Sequence, residues 1–365
     1  MHPSVHNHIS RCVRMTLLSR IRTMLKSKEE KAFIRNGSIL LQELIALCNG
    51  KCNPICGFSA KELERATNNY DLRRVLHVNR FYKFYKGFLR DQPVLIKKFK
   101  GKFERREVVF NEIVIASVMS VHKNVLKLLG CCLETKVPTL VFEFAESRNL
   151  GDLVSSQNYN CHFQPLSWRC RLKIAMDIAN VVAYLHTAFP KPIIHCDIRC
   201  LNIFLSEDCT AKLSDFSVSR SLSADEVDAK DEVPEIMGLP TAEYMAKQDV
   251  YSVGILMLML LTGQKEICKD PLENNKRIYI ADYVKNYDFD EILDPMILRE
   301  MLLEEVQQVE AFKALVMNCI CESAGDRPTM TDVAKELRRI NQRSFMQDIV
   351  HITNCRDSSS PTSID

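Results

Sequence analysis

Glycine is missing where the chain most invites it. Residues 75–86 read VLHVNRFYKFYK, and the next residue is Gly87. The stretch reads as strand, tight turn and strand, ahead of VLIK at Val94–Lys97. Glycine at such a turn takes backbone angles closed to other residues and lets main-chain N–H groups approach a ligand. Its absence argues against a turn that grips phosphate. Long apolar runs are missing too. The most apolar, VGILMLMLL at Val253–Leu261, falls short of the roughly 20 residues a bilayer needs and reads as a helix buried on all sides. Among 15 cysteines no Cys-x-x-Cys pair repeats, which excludes the usual zinc spacings. Cys48, Cys52 and Cys56 fall four apart, but they read as loose thiols of a reducing compartment. Formal net charge is only +3, so no strong field points to nucleic acid or membrane. His2 stands where N-myristoylation requires glycine. No internal repeat is present.

Acidic residues are absent before Glu29, while Arg11, Arg14, Arg20, Arg22, Lys26 and Lys28 alternate with Val13, Leu17, Ile21 and Met24. A transit peptide and a basic surface helix both read this way. The plainer expectation is a disordered basic extension over residues 1–35, with Met24 as an alternative start. Residues 36–70 follow as pre-domain helices. Ile39, Leu40, Glu43, Leu44 and Leu47 keep a helical period, and Ser59 with Glu62 spells a capping box. Short β-rich segments then run to about Phe144, interrupted by one helix near Glu104–Ser120. From Leu166 onward long helices dominate, with Leu172, Ala175, Ala179, Val182 and His186 on one face. The expected fold is therefore α+β, with a small β-rich lobe at 71–145, a larger helical lobe at 146–342 and a polar tail at 343–365.

Three short stretches carry chemistry. Residues 195–202 read HCDIRCLN, residues 214–217 read SDFS, and residues 94–97 read VLIK. A helix bearing Phe110-Asn111-Glu112 follows the last of these. Singly each has a structural explanation. Lys97 and Glu112 could be a plain ion pair, His195 a core histidine near Phe216, and Asp215 a turn cap. In this order they match a strand lysine, a helix glutamate, H-R-D-L-x-x-x-N and D-F-G. The chain resembles a protein kinase over roughly residues 71–342. NVLKLLGCCLE, LVFEFAE, DVYSVGILMLMLLTG, DRPTM and FSAKELERATNNYD are similar to the plant receptor-like cytoplasmic kinases. NGSILLQELIALCNGK and YLHTAFPKPIIH most closely resemble the atypical ZED-related kinases.

The resemblance implies roles for named residues. Lys97 would reach the α- and β-phosphates of ATP, and Glu112 would hold it. Asp197 would accept the proton of a substrate hydroxyl. Asn202 and Asp215 would bind magnesium, as hard cations want oxygen ligands. Phe142 would back an adenine pocket, and Glu143 to Ala145 would form its hinge. Such chemistry is mostly positioning and charge neutralisation.

The pattern also breaks. The three glycine positions of G-x-G-x-x-G fall on His77, Asn79 and Tyr82. Phe81 and Tyr82 are bulky enough to fold inward over the nucleotide space. Cys196 replaces the arginine of H-R-D, Arg199 stands where a lysine contacts the γ-phosphate, and Ser217 replaces the glycine of D-F-G. The stretch GLPTAEYMAKQD at Gly238–Asp249 is shortened. Glu243 is expected to pair with Arg327, and Asp249 to bind the catalytic-loop backbone. Losing one preorganised donor typically costs about 10²–10³ in rate, so a catalytically impaired pseudokinase is expected.

By resemblance it would be an adaptor in plant immune signalling, bridging an NLR receptor and other receptor-like cytoplasmic kinases that bacterial effectors modify. Ile39, Leu40 and Leu44 are candidates for the docking surface. The alternatives are a weak serine/threonine kinase and an ATP-binding switch. ATP and magnesium would be the cofactors if any bind. The expected location is cytoplasmic, with the inner face of the plasma membrane as a second option.

Overall fold

A computed structural model describes residues 28–48, 55–101, 103, 105–145, 149–154, 166–221, 241–270, 276–300 and 303–342. The expectations for residues 1–27, for the tail at 343–365 and for Cys52 lie outside these residues. Among the described residues the chain is a mixed α+β protein with a β-sheet N-terminal region and a helical C-terminal region. It divides into two compact units. One joins the segments up to Val118 with Leu128–Phe144, and the other joins Met119–Lys127 with the chain from Ala145.

The N-terminal unit opens with α1 (Lys28–Cys48), β1 (Cys56–Gly57) and α2 (Ala60–Ala66). Its sheet is completed by β2 (Val75–Val78), β3 (Tyr82–Leu89), β4 (Gln92–Phe99), β5 (Leu128–Cys132) and β6 (Thr139–Glu143). The order is β1-β5-β6-β4-β3-β2. Every pairing is antiparallel except β1 on β5. That parallel contact is close. A Cβ on Gly130 would come within 2.1 Å of the Cys56 carbonyl oxygen, so only glycine fits there. One face of the sheet is closed by α2. Leu63 and Ala66 pack with Tyr85, Val94, Ile96, Cys132 and Val141. The helix is set by its capping box, in which Ser59 Oγ accepts from the Glu62 N–H and Glu62 Oε2 accepts from the Ser59 N–H. Helix α3 (Arg106–Met119) carries Glu112.

Two expectations for this unit are corrected. Residues 28–35, placed in a disordered extension, are the first turns of α1. The reason is periodic: Ala32, Asn36 and Leu40 are spaced by four, and all are buried. Asn36 donates to the carbonyls of Leu133 and Thr135 at 2.8 and 3.0 Å, tying the helix to the rest of the unit. The same spacing turns Leu40 inward and leaves Ile39 and Leu44 half-buried. The exposed apolar stripe is instead Ile34, Leu41 and Ile45, beside Phe33.

The C-terminal unit is built on α4 (Trp168–Thr187) and α5 (Ala242–Thr262). Later come α6 (Leu303–Cys319) and α7 (residues 330–342). Nearly every residue of the second half of α5 is buried, as the all-apolar run requires. Gly263 ends that helix with φ 64°, the left-handed cap that glycine takes at least cost. Short strands β7 (Ile193–Ile194), β8 (Ile203–Leu205), β9 (Ala211–Leu213) and β10 (Arg220–Ser221) form two small pairs, β8 with β9 and β7 with β10. One cysteine pair is joined that the sequence did not suggest. Cys170, in the first turn of α4, is disulfide-bonded to Cys209 in the turn joining β8 to β9. No described helix is long and apolar enough to cross a membrane.

Candidate phosphotransfer site, unit by unit

Strand β4 carries Lys97 and α3 carries Glu112. Both side chains are fully buried, and Lys97 Nζ donates to the two carboxylate oxygens at 2.7 and 2.8 Å. Such a pair is held by geometry, since burial removes water from both charges. The Tyr82 ring centre lies 3.9 Å from Nζ, within cation–π range. Tyr82 is the third of the replaced glycine positions. Its ring sits edge-on to Phe84 and Phe99, and Phe84 meets Phe142 in the same way. Tyr82, Phe84, Phe99 and Phe142 therefore form an aromatic layer around the lysine.

The turn between β2 and β3 closes on itself. Asn79 Oδ1 accepts from the backbone N–H groups of Phe81 and Tyr82, both at 2.8 Å. The Asn79 N–H donates to the Tyr82 carbonyl at 3.1 Å. The Lys100 ammonium donates to the Asn79 carbonyl. This is an Asx turn, the local device asparagine favours. Its consequence is chemical: the N–H groups that a glycine turn would present to phosphate are spent on a side chain. His77, the first of the replaced positions, pairs with Phe84 inside the β2–β3 ladder. Phe81 does not fold inward as expected. It is about half exposed and rests edge-on against Phe103. Strand alternation is the reason, since Phe81 and Lys83 face away from Tyr82 and Phe84.

In the C-terminal unit, Asp197 lies between two partners. Its Oδ2 accepts from Asn202 Nδ2 at 2.9 Å, and its Oδ1 pairs with the Arg199 guanidinium. Asn202 also donates to the Asp197 carbonyl at 2.9 Å. Arg199 thus holds the carboxylate of the proton-acceptor position. Asp215 is buried and adopts φ 65°. Cys196 shares that unusual angle. Left-handed non-glycine residues of this kind cost about 1–3 kcal/mol and persist only where their surroundings fix them. For Cys196, Asp249 on α5 supplies that support. Its carboxylate accepts from the backbone N–H groups of His195 and Cys196 at 2.8 and 2.9 Å, and meets His186 Nε2 at 3.0 Å. His195 is buried, lies tilted 5.1 Å from the Phe216 ring and meets the Ser214 carbonyl through Nε2. Burial holds its pKa below the ordinary histidine value.

One expected scaffold contact is absent. Arg327 donates to the carbonyls of Cys321, Lys247 and Glu322 and lies over Tyr251, with no ion pair to Glu243. The shortened stretch explains this. Thr241 caps α5 directly, so Glu243 falls in the exposed first turn of the same helix that carries Asp249. Phe142 is buried on β6, Glu143 ends that strand, and Ala145 begins the C-terminal unit.

A profile of the protein kinase domain matches residues 83–337. The chain belongs to the protein kinase family. It is 39% identical over 335 residues to the serine/threonine-protein kinase ZRK1 of Arabidopsis thaliana, covering 86% of this chain and 93% of that protein. It is 40% identical over 334 residues to the non-functional pseudokinase ZRK2, covering 86% and 90%. It is 36% identical over 335 residues to the non-functional pseudokinase ZED1, covering 87% and 98%. Both proteins are from the same plant. These relatives support membership of the ZED-related kinases. Their names differ on activity at nearly equal identity, so the residues must decide it.

Kinase domains generally bind ATP and magnesium. The N-terminal unit does not fit the triphosphate. The Lys97–Glu112 pair is one a working kinase also keeps, but the Tyr82 ring covers the ammonium and Asn79 takes the turn N–H groups. Asn202 and Asp215 keep oxygen donors of the kind magnesium takes.

Proposed function

We propose that this chain is a pseudokinase adaptor rather than a phosphotransferase. One observation carries the reading: the residue at the third glycine position, Tyr82, packs its ring over the ammonium of Lys97. A lysine sealed between a carboxylate and an aromatic face serves the core of its own unit. The scaffold contacts made by Asp249 to the catalytic loop are kept, which suits a protein used for its surface.

The proposed partners are an NLR-type immune receptor and other receptor-like cytoplasmic kinases, with effector-modified kinases as the signal, in the cytoplasm or at the inner face of the plasma membrane. The α1 stripe of Ile34, Leu41 and Ile45 supplies an exposed apolar surface for the receptor. Co-purification of the full chain from plant tissue tests this. An NLR receptor should be recovered with the wild type and lost with Leu41→Glu. Recovery of none with either protein contradicts the adaptor reading.

A second reading, a weak serine/threonine kinase, is favoured by Asp197, Asn202 and Asp215, all present. Radiolabelled phosphate transfer separates the two. The adaptor reading expects no signal above that of Asp197→Asn. Transfer abolished by that substitution would establish the kinase instead.

A further inference from the structure

The C-terminal unit holds a cavity of about 450 Å³ that includes none of Lys97, Asp197, Asn202 or Asp215. The loop before β5 lends it His122, Lys123 and Asn124, α4 lends Tyr184, and α7 lends Lys335 and Arg338. Three permanent cations share the lining, and no carboxylate does. Neither Lys123 nor Lys335 forms an ion pair with a described residue. Arg338 is aimed by its hydrogen bond to Asn180 Oδ1 at 2.9 Å. Like charges gathered round one hollow repel unless an anion neutralises them.

Donors of other kinds join them. His122 Nδ1 faces the Asn124 backbone N–H at 3.2 Å and so acts as acceptor, which leaves the ring proton on Nε2. The ring is held 5.0 Å from that of Tyr184. Asn124 lies buried beside them, and its amide donates to the Ala211 carbonyl at 3.0 Å.

We propose that this cavity is a binding site for a phosphate monoester, of the inositol phosphate kind. The planar Arg338 fork and the two lysines suit a dianionic phosphate. A phosphothreonine in a peptide shares the phosphate chemistry, and the test distinguishes the two sources.

Titration calorimetry on the full chain, with an inositol trisphosphate and separately with a phosphothreonine peptide, provides that test. The wild type should bind the inositol phosphate, more weakly at high salt. The triple variant Lys123→Gln/Lys335→Gln/Arg338→Gln should lose binding, by about tenfold or more per charge removed. Its ligand-free unfolding midpoint should match the wild type, since all three side chains are exposed. Should it misfold, Lys335→Glu alone reads the same effect. Peptide binding that the triple variant loses, without inositol phosphate binding, keeps the site and assigns it the peptide source. Absence of binding by either probe, or equal binding by the triple variant, overturns the proposal.

Discussion

In the N-terminal unit the residues that would face phosphate have turned to one another, whereas in the C-terminal unit the residues that brace the catalytic loop keep their partners. Lys97, paired with Glu112 as in a working kinase, lies under the Tyr82 ring, and the turn at Asn79 consumes its own N–H groups. Asp249, by contrast, still clamps the N–H groups of His195 and Cys196 and supports a left-handed residue. The difference teaches which parts of a kinase are also structure. A carboxylate that satisfies buried backbone donors is needed whatever the protein does. A glycine turn matters only if a phosphate sits in it.

The sharpest way to break this comparison is to remove Lys97. Breaking a buried ion pair from one side costs about 3–5 kcal/mol, because the other charge is left uncompensated. Lys97→Met should therefore lower unfolding free energy by that amount in urea titration. A loss below about 1 kcal/mol would mean the lysine is not part of the core and would reopen the catalytic reading.

The C-terminal unit can be probed through its disulfide. Reduction, or Cys170→Ser, should cost about 2–4 kcal/mol, as is typical when a loop is released. The bond closes a separation of 39 residues. The change should slow hydrogen exchange nowhere and speed it in the hairpin of β8 and β9, leaving the sheet of the other unit unchanged. Equal loosening of both units would erase the independence on which the comparison rests.

Much of this was legible beforehand. The pairing of Lys97 with Glu112 and of Asp197 with Asn202 was readable because the order of these residues along the chain is rare, even though each alone is ordinary. The outward direction of Phe81 runs against the bulk argument but follows from strand alternation with Phe84. Asn79 carried a signal as well, since asparagine at a tight turn offers its own acceptor to the following N–H groups. The lost pairing of Glu243 with Arg327 was harder. It depends on α5 starting at Ala242, and the cap residue Thr241 was the clue. The Cys170–Cys209 bond was not legible, because it needs two Cα atoms 5.7 Å apart across 39 residues, which is a tertiary fact. The inward set of α1 is written in the spacing of Ala32, Asn36 and Leu40, a period that begins ahead of Gly37.

A smaller effect sharpens the account of the catalytic-loop scaffold. His195 is buried with its pKa held below the ordinary value. The unfolded chain takes up a proton below about pH 6.5 while the native protein does not. Stability should thus be full above that pH and fall as acid is added, by at most about 1.4 kcal/mol per pH unit for this residue. His195→Asn should flatten the slope between pH 6.5 and 5. An unchanged slope would remove His195 from that account.

The central claim is that the N-terminal unit has closed over its own lysine, and a thermal shift with ATP and magnesium tests it most directly. A kinase at about 100 times its Kd gains near 2.7 kcal/mol. The wild type should show no shift, and Asn79→Gly/Tyr82→Gly, which frees both the turn and the ammonium, should gain one. A saturable shift in the wild type as large as in that variant would contradict the claim.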